Sequence, residues 1–302
     1  MTAPGSSADV LAPPLAPLSA KQKPWTRPGF IFARLLTVTW CGGVYLFLLA
    51  PLVVIAGASL HEGSAYAVMV FPPQEPTFKW YLEISEQLYD ALALSLGLGV
   101  LTAVVSVLLG VPAALGLIRS NLPGKAFLST FFRIPLQIPS IVIGISFLHL
   151  YYAIGRGTGW YPTGTFLGIA VGHFFHATPY VIGTTAAVLQ RFDTGLEEAA
   201  LSLGASRWRT FRCVTMPVIA PGIYAGALYS FMVSFGDVPI SIFLTTPGFT
   251  TYPVELFFGM ENDFDPSILA SATLVIIFSL GVMLLVQRIV GLETLLASSD
   301  GR

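Results

Sequence analysis

The sequence predicts an all-α integral membrane protein of six transmembrane helices, with both termini cytoplasmic and a helix hairpin on the cytoplasmic side between helices four and five. Three observations predict it. The 302 residues are 54% hydrophobic and only 10% charged, with a mean hydropathy of +0.75, whereas a soluble surface needs about a quarter of its residues charged. Six stretches reach the roughly twenty apolar residues that cross a bilayer's hydrocarbon core. The lysines and arginines fall almost entirely on one side of those stretches.

In chain order, span one covers about residues 35–60 and span two 91–118. Span three, 134–154, opens with Pro135 and Pro139, which suit a first turn or a kink. Span four covers 166–189, span five 223–245 and span six 267–287. Span five is the least regular, because Gly236, Asp237 and Pro239 interrupt it in mid-course.

Orientation follows from the basic residues, since loops rich in them stay cytoplasmic. Lys21, Lys23, Arg27 and Arg34 precede span one; Arg119, Lys125 and Arg133 join spans two and three; Arg191, Arg207, Arg209 and Arg212 join four and five; Arg288 and Arg302 follow six. Only Lys79 and Arg156 fall on the other side. Acids collect there instead: Glu62, Glu75, Glu83, Glu86 and Asp90 before span two, and Glu255, Glu261, Asp263 and Asp265 before span six. Residues 1–30, rich in Ala, Pro and Ser, read as a flexible cytoplasmic tail, 31–292 as the membrane domain and 293–302 as a second short cytoplasmic tail. The first is not expected to be a cleavable signal peptide, because its lysines, Lys21 and Lys23, come late in it and abut a full-length span instead of leading it.

Several function classes drop out. A formal charge of −1 gives no basic excess for nucleic acid. Two cysteines, Cys41 and Cys213, make no disulfide framework and read as small buried or incidental thiols. The nearest phosphate-loop candidate, residues 122–126, lacks both the hydroxyl and the upstream glycine, so the chain hydrolyses no nucleotide by itself. His173 and His176 share one helical face without a third metal ligand nearby and read as packing or polar contacts. With no G-x-S-x-G elbow either, no residue is assigned to catalysis, a cofactor or a metal.

The loop of about 191–222 is too long for a linker and is internally organised. Thr194 and Glu197 have capping-box spacing, which predicts a short helix from Gly195 to about Leu203 that Gly204 ends in a left-handed conformation. Ser206 caps a second helix from Arg207 to about Met216, which Pro217 stops and Pro221-Gly222 turns into span five.

Glu198-Ala199-Ala200, Gly204-Ala205, Phe211, Val214, Pro217 and Pro221-Gly222, at their spacing, resemble the EAA loop of permease subunits of bacterial ABC importers. The resemblance implies that Glu198, Ala199, Ala200, Gly204, Ala205, Arg207, Phe211, Pro217, Pro221 and Gly222 form a coupling helix docked into a cytoplasmic ATPase. It also implies the partners: an ABC ATPase dimer that holds ATP and Mg, a second permease chain, a periplasmic or extracellular solute-binding protein and membrane lipid, in a bacterial inner membrane. Over about residues 78–292 the chain looks most like the polyamine (spermidine/putrescine) branch, on 78–81, Ile134-Pro135, Pro139, Gly144, His173, Pro179-Tyr180, 234–237 and 250–254. Gly236 departs from it, since many members carry a second acid there.

Asp237 is an intramembrane carboxylate, a costly feature that marks a pathway or a pairing. In an importer of cations it attracts substrate, with Ser234, Phe235 and Tyr229 around it; otherwise it is a hydrogen-bond anchor that fixes the helix break. Importers of an amino-acid derivative, iron or an anion stay open as alternatives, as does an ion-coupled secondary transporter, although the latter needs no such loop.

Overall fold

The computed structural model describes residues 28–62, 71–120, 123–262 and 266–299. Among them all regular secondary structure is helical, and pairing of the β type is confined to two isolated bridges, His61 with Pro76 and Thr246 with Phe249. The chain forms two units, up to Pro51 and from Leu52 onward. The first contains most of α1 (Pro28–Ala58), whose Trp40 and Phe47 are exposed.

In the second unit α2 (Lys79–Leu82) leads to α3 (Glu86–Arg119), which Ser85 caps by accepting from the Leu88 N–H. Two short helices, α4 (Lys125–Phe131) and α5 (Ile134–Gln137), precede α6 (Ser140–Thr158). Ile138 is extended ahead of Pro139, as a residue before proline prefers, so the expected kink in span three is a full break between α5 and α6. Helix α7 (Phe166–Leu189) starts where Thr165 accepts from the Gly168 N–H at 3.0 Å. The hairpin helices α8 (Gly195–Ser202) and α9 (Arg207–Thr210) follow, then a π-helical turn (Phe211–Thr215), α10 (Met216–Phe235), α11 (Ser241–Leu244), α12 (Tyr252–Asn262) and α13 (Pro266–Ser299).

The core is made by α3, α7 and α10, packed on one another. Val111, Ala114, Val181, Ile182, Ala186, Leu189, Ile219 and Ile223 fill one half of it; Leu98, Ile143, Ile169, Ala170, Ile240 and Leu244 fill the other, with α6 and α11 added. Small residues set the spacing. A methyl group on Gly226 would lie 2.8 Å from the Val181 Cα, and one on Gly222 2.9 Å from the Thr184 carbonyl oxygen, so α10 and α7 meet backbone to backbone. Close approach of this kind drives helix association where lipid gives no hydrophobic effect.

Four described helices are long and apolar enough to cross a membrane: Ala33–Ala58, Glu86–Arg119, Phe166–Leu189 and Arg207–Phe235. The expected third span is diluted by Ser146, His149, Tyr151, Tyr152 and Arg156, and the sixth lies within a helix, Pro266–Ser299, that runs beyond its expected end. The expected fifth span, 223–245, is corrected: its helix ends at Phe235 because Gly236, Asp237 and Pro239 turn the chain before α11. Cys41 and Cys213 are exposed, which leaves the incidental one of the two expected readings. Most of the expected amino-terminal tail, and with it Lys21, Lys23 and Arg27, lies outside the described residues, as do Asp263, Asp265 and Arg302.

Candidate functional site

Two sites emerge, one on the surface hairpin and one buried where span five breaks. In the hairpin, Gly204 has φ +85°, a conformation that side chains with a Cβ adopt at a cost of about 1–2 kcal/mol. There the Gly204 N–H donates to the Leu201 carbonyl at 3.0 Å and the Ala205 N–H to the Ala200 carbonyl at 3.1 Å. These two bonds close the end of α8 as a Schellman motif and set Ala200 beside Ala205. Ser206 then caps α9 through the Arg209 N–H at 3.3 Å. The hairpin is therefore held by its own backbone, and its outer surface is free. Glu198, Ala199 and Arg207 are exposed; Leu203, at the tip, is 89% exposed and Trp208 69%, the latter stacked on half-buried Phe211 at 5.8 Å.

Two expectations need correction. Thr194 and Glu197 form no capping box: Thr194 makes no side-chain cap, and the Asp193 carboxylate accepts from the Gly195 N–H at 2.9 Å instead. Glu197 is occupied elsewhere. Its Oε1 accepts from the Arg119 guanidinium at 2.6 Å and from the Thr215 hydroxyl, so a single carboxylate ties α8 to the end of α3 and to the π-helical turn. Arg119 also lies over the Phe192 ring at 5.7 Å. Secondly, Pro217 does not stop the second helix. The wide turn, in which the Met216 N–H reaches back to the Phe211 carbonyl, takes up the hydrogen bond that Pro217 cannot make, and the helix continues into α10. Arg207–Phe235 is in effect one rod from the hairpin into the core, with exposed Pro217 and Pro221 on it and Gly222 buried against α7.

At the break, Asp237 is 8% exposed. Its Oδ1 accepts from the Ile240 N–H at 2.9 Å, the Ser241 N–H at 2.9 Å and the Ser241 hydroxyl at 3.2 Å. These are the orphan donors at the start of α11, and the carboxylate satisfies them. His173 of α7 lies between, with Nε2 3.0 Å from Ser241 Oγ and 3.7 Å from Asp237 Oδ1, and Nδ1 2.8 Å from Ser234 Oγ. The Ser234 hydroxyl donates to Thr102 Oγ1 of α3 at 3.1 Å. Four helices are thus stitched together by a buried polar chain.

The structure brings Asp237 and Ser234 into this one network but not Phe235, which stacks on Phe231 at 5.8 Å, nor Tyr229, which is 53% exposed and stacked on Tyr180 at 6.1 Å. Sequence reasoning missed Arg119, Glu197, Thr215, Thr102 and Ser241 as site residues. The only signal available was sidedness, which put Arg119 and Glu197 on the same face of the membrane.

Residues 106–292 match the family described as "binding-protein-dependent transport system inner membrane component". The chain is 32% identical over 240 residues to the putrescine transport system permease protein PotI of Escherichia coli (strain K12), covering 77% of this chain and 82% of that one. It is 29% identical over 262 residues to the spermidine/putrescine transport system permease protein PotC of the same strain, covering 86% and 95%. Its fold is like that of a chain of a bacterial ABC transporter involved in the import of the acidic polysaccharide alginate, with a TM-score of 0.67, 17% identity and coverage of 87% of this chain and 98% of that one.

Proposed function

The chain belongs to the binding-protein-dependent transport system inner membrane component family and is a permease subunit of an ABC importer; from that premise we propose that it forms half of a polyamine pathway worked by a separate ATPase. The observation that carries this reading is the hairpin. It is rigid through its own hydrogen bonds, it presents Leu203 and Trp208 outward, and it continues without a break into α10 of the core. A body of that kind transmits a push from outside the membrane to the three packed helices as a rigid-body movement.

In this reading an ABC ATPase dimer with its ATP and Mg docks on the hairpin, a second permease chain, a paralogue, closes the other half of the pathway, and an outer solute-binding protein delivers the ligand. The chain itself hydrolyses nothing. Six helices cross the membrane with both termini inside; α6 crosses despite its polar residues because Tyr151 donates to the Gly168 carbonyl inside the fold, at 2.7 Å. Asp237 holds the break in span five, since its Oδ1 is already committed to three donors. The polyamine assignment draws support from the PotI and PotC likenesses.

The test is reconstitution of the four-part assembly in proteoliposomes with labelled putrescine, spermidine, an amino-acid derivative, iron and an organic anion. ATP-dependent uptake of the amines alone is expected. Uptake of another solute in preference to them would move the chain to another substrate class, and uptake without any ATPase would overturn the importer mechanism. A reporter fused near Arg207 is expected to read cytoplasmic.

A further inference from the structure

A cavity of about 450 Å³ opens between the ends of α3 and α7, the short helix α4 and the Phe132-Arg133 turn that follows it. Its upper rim is polar and basic, with Lys125, Arg133, Ser129 and Gln190; its wall is apolar, with Leu117, Ile182 and Pro179. Among the described residues none that lines it is acidic. Arg133 is exposed; its backbone N–H donates to the Thr130 carbonyl at 3.0 Å, and among the described residues its guanidinium has no hydrogen-bond or ion-pair partner. The Lys125 ammonium donates to the Ile118 carbonyl at 2.7 Å and to the Ser120 carbonyl at 3.5 Å, which fixes it at the rim and leaves the third of its protons to give.

The cavity's depth matches one leaflet. From Gln190 down α7 to Pro179 is eleven residues, or about 16 Å at 1.5 Å per residue, against a half-bilayer hydrocarbon depth of about 15 Å. Gly183, on the cavity wall, has open space where a side chain would stand, so the groove continues past it. Beside the cavity, Phe127 and Phe131 of α4 are exposed and stacked at 6.3 Å, a pair suited to the headgroup boundary.

We infer that this cavity binds one anionic phospholipid, its phosphate between Arg133 and Lys125 and one acyl chain along Ile182, Gly183 and Pro179. The guanidinium supplies a forked pair of donors to the phosphate and the ammonium a point charge. The proposed topology enters only in naming the leaflet, the inner one.

Native mass spectrometry of the assembled transporter, extracted from bilayers of phosphatidylglycerol and phosphatidylethanolamine, tests it. The wild-type assembly is expected to retain phosphatidylglycerol in preference, and the double variant Lys125→Ala, Arg133→Ala to lose that preference by about thirtyfold, at roughly one unit of surface attraction per basic residue. Gly183→Leu keeps both charges and fills the groove; it is expected to reduce retention of the diacyl lipid while leaving the affinity for inorganic phosphate unchanged. Equal retention of phosphatidylglycerol in all three assemblies overturns the proposal. So does a Gly183→Cys assembly that cross-links to the second permease chain, since protein and not lipid then fills the groove. Each readout is independent of which solute is transported.

Discussion

The break in span five and the hairpin are both turns between helices, yet they are satisfied in opposite ways. At the break every strong group faces inward: Asp237 takes three donors, and His173, Ser234 and Thr102 extend the chain of contacts across α7, α10 and α3. At the hairpin the backbone is closed and the Glu197 carboxylate is tied inward to Arg119 and Thr215, while Leu203 and Trp208 stand in the open. A turn that is complete by itself serves stability. One whose backbone is closed and whose large apolar side chains are not is built for a partner, because such exposure is otherwise a liability.

Substitutions sharpen the contrast, and the largest effect is expected at the break. Asp237→Ala strands the Ile240 and Ser241 donors in a buried place and is expected to destabilise the purified subunit by about 3 kcal/mol; an unchanged melting temperature would remove the anchor role. At the hairpin tip, Leu203→Ala and Trp208→Ala are expected to leave that melting temperature in place and to weaken binding of the ATPase about tenfold each, measured by titration with the purified ATPase. Normal binding in both would place the docking surface elsewhere. Asp237→Asn keeps an acceptor oxygen and is expected to cost less than about 1.5 kcal/mol. If it instead abolished amine uptake at full stability, the negative charge itself would face the solute. The smallest effect belongs to Arg119→Ala. The pair with Glu197 is partly exposed, so stability is expected to change by no more than about 1 kcal/mol, while solute-stimulated ATP hydrolysis falls roughly threefold because the hairpin loses its tie to α3.

The sequence revealed different parts of the molecule to different depths. Span four was legible to its ends, 166–189, because a capping Thr165 and a continuous apolar run leave one solution. The turn at Gly204 was legible for the same local reason. Pro217 misled, since a proline forbids one hydrogen bond but a π-helical turn reroutes the chain around the loss. Glu197 misled in a second way: its spacing to Thr194 favours a local cap, but Arg119, 78 residues away in the chain, and Thr215 offer it stronger partners. The break in span five was visible in Gly236, Asp237 and Pro239; the polar chain around it was not, because His173 and Thr102 join it only through the packing of three helices.

The account rests on the hairpin as a rigid relay, and Gly204 is where its rigidity can be altered without touching the core. In proteoliposomes containing the complete importer, amine uptake and ATP hydrolysis would be followed together for the wild type and Gly204→Val. The strained left-handed position should distort α8 relative to α9, so the variant is expected to insert and assemble, to hydrolyse ATP and to import almost nothing. Wild-type uptake per ATP in Gly204→Val would contradict the relay.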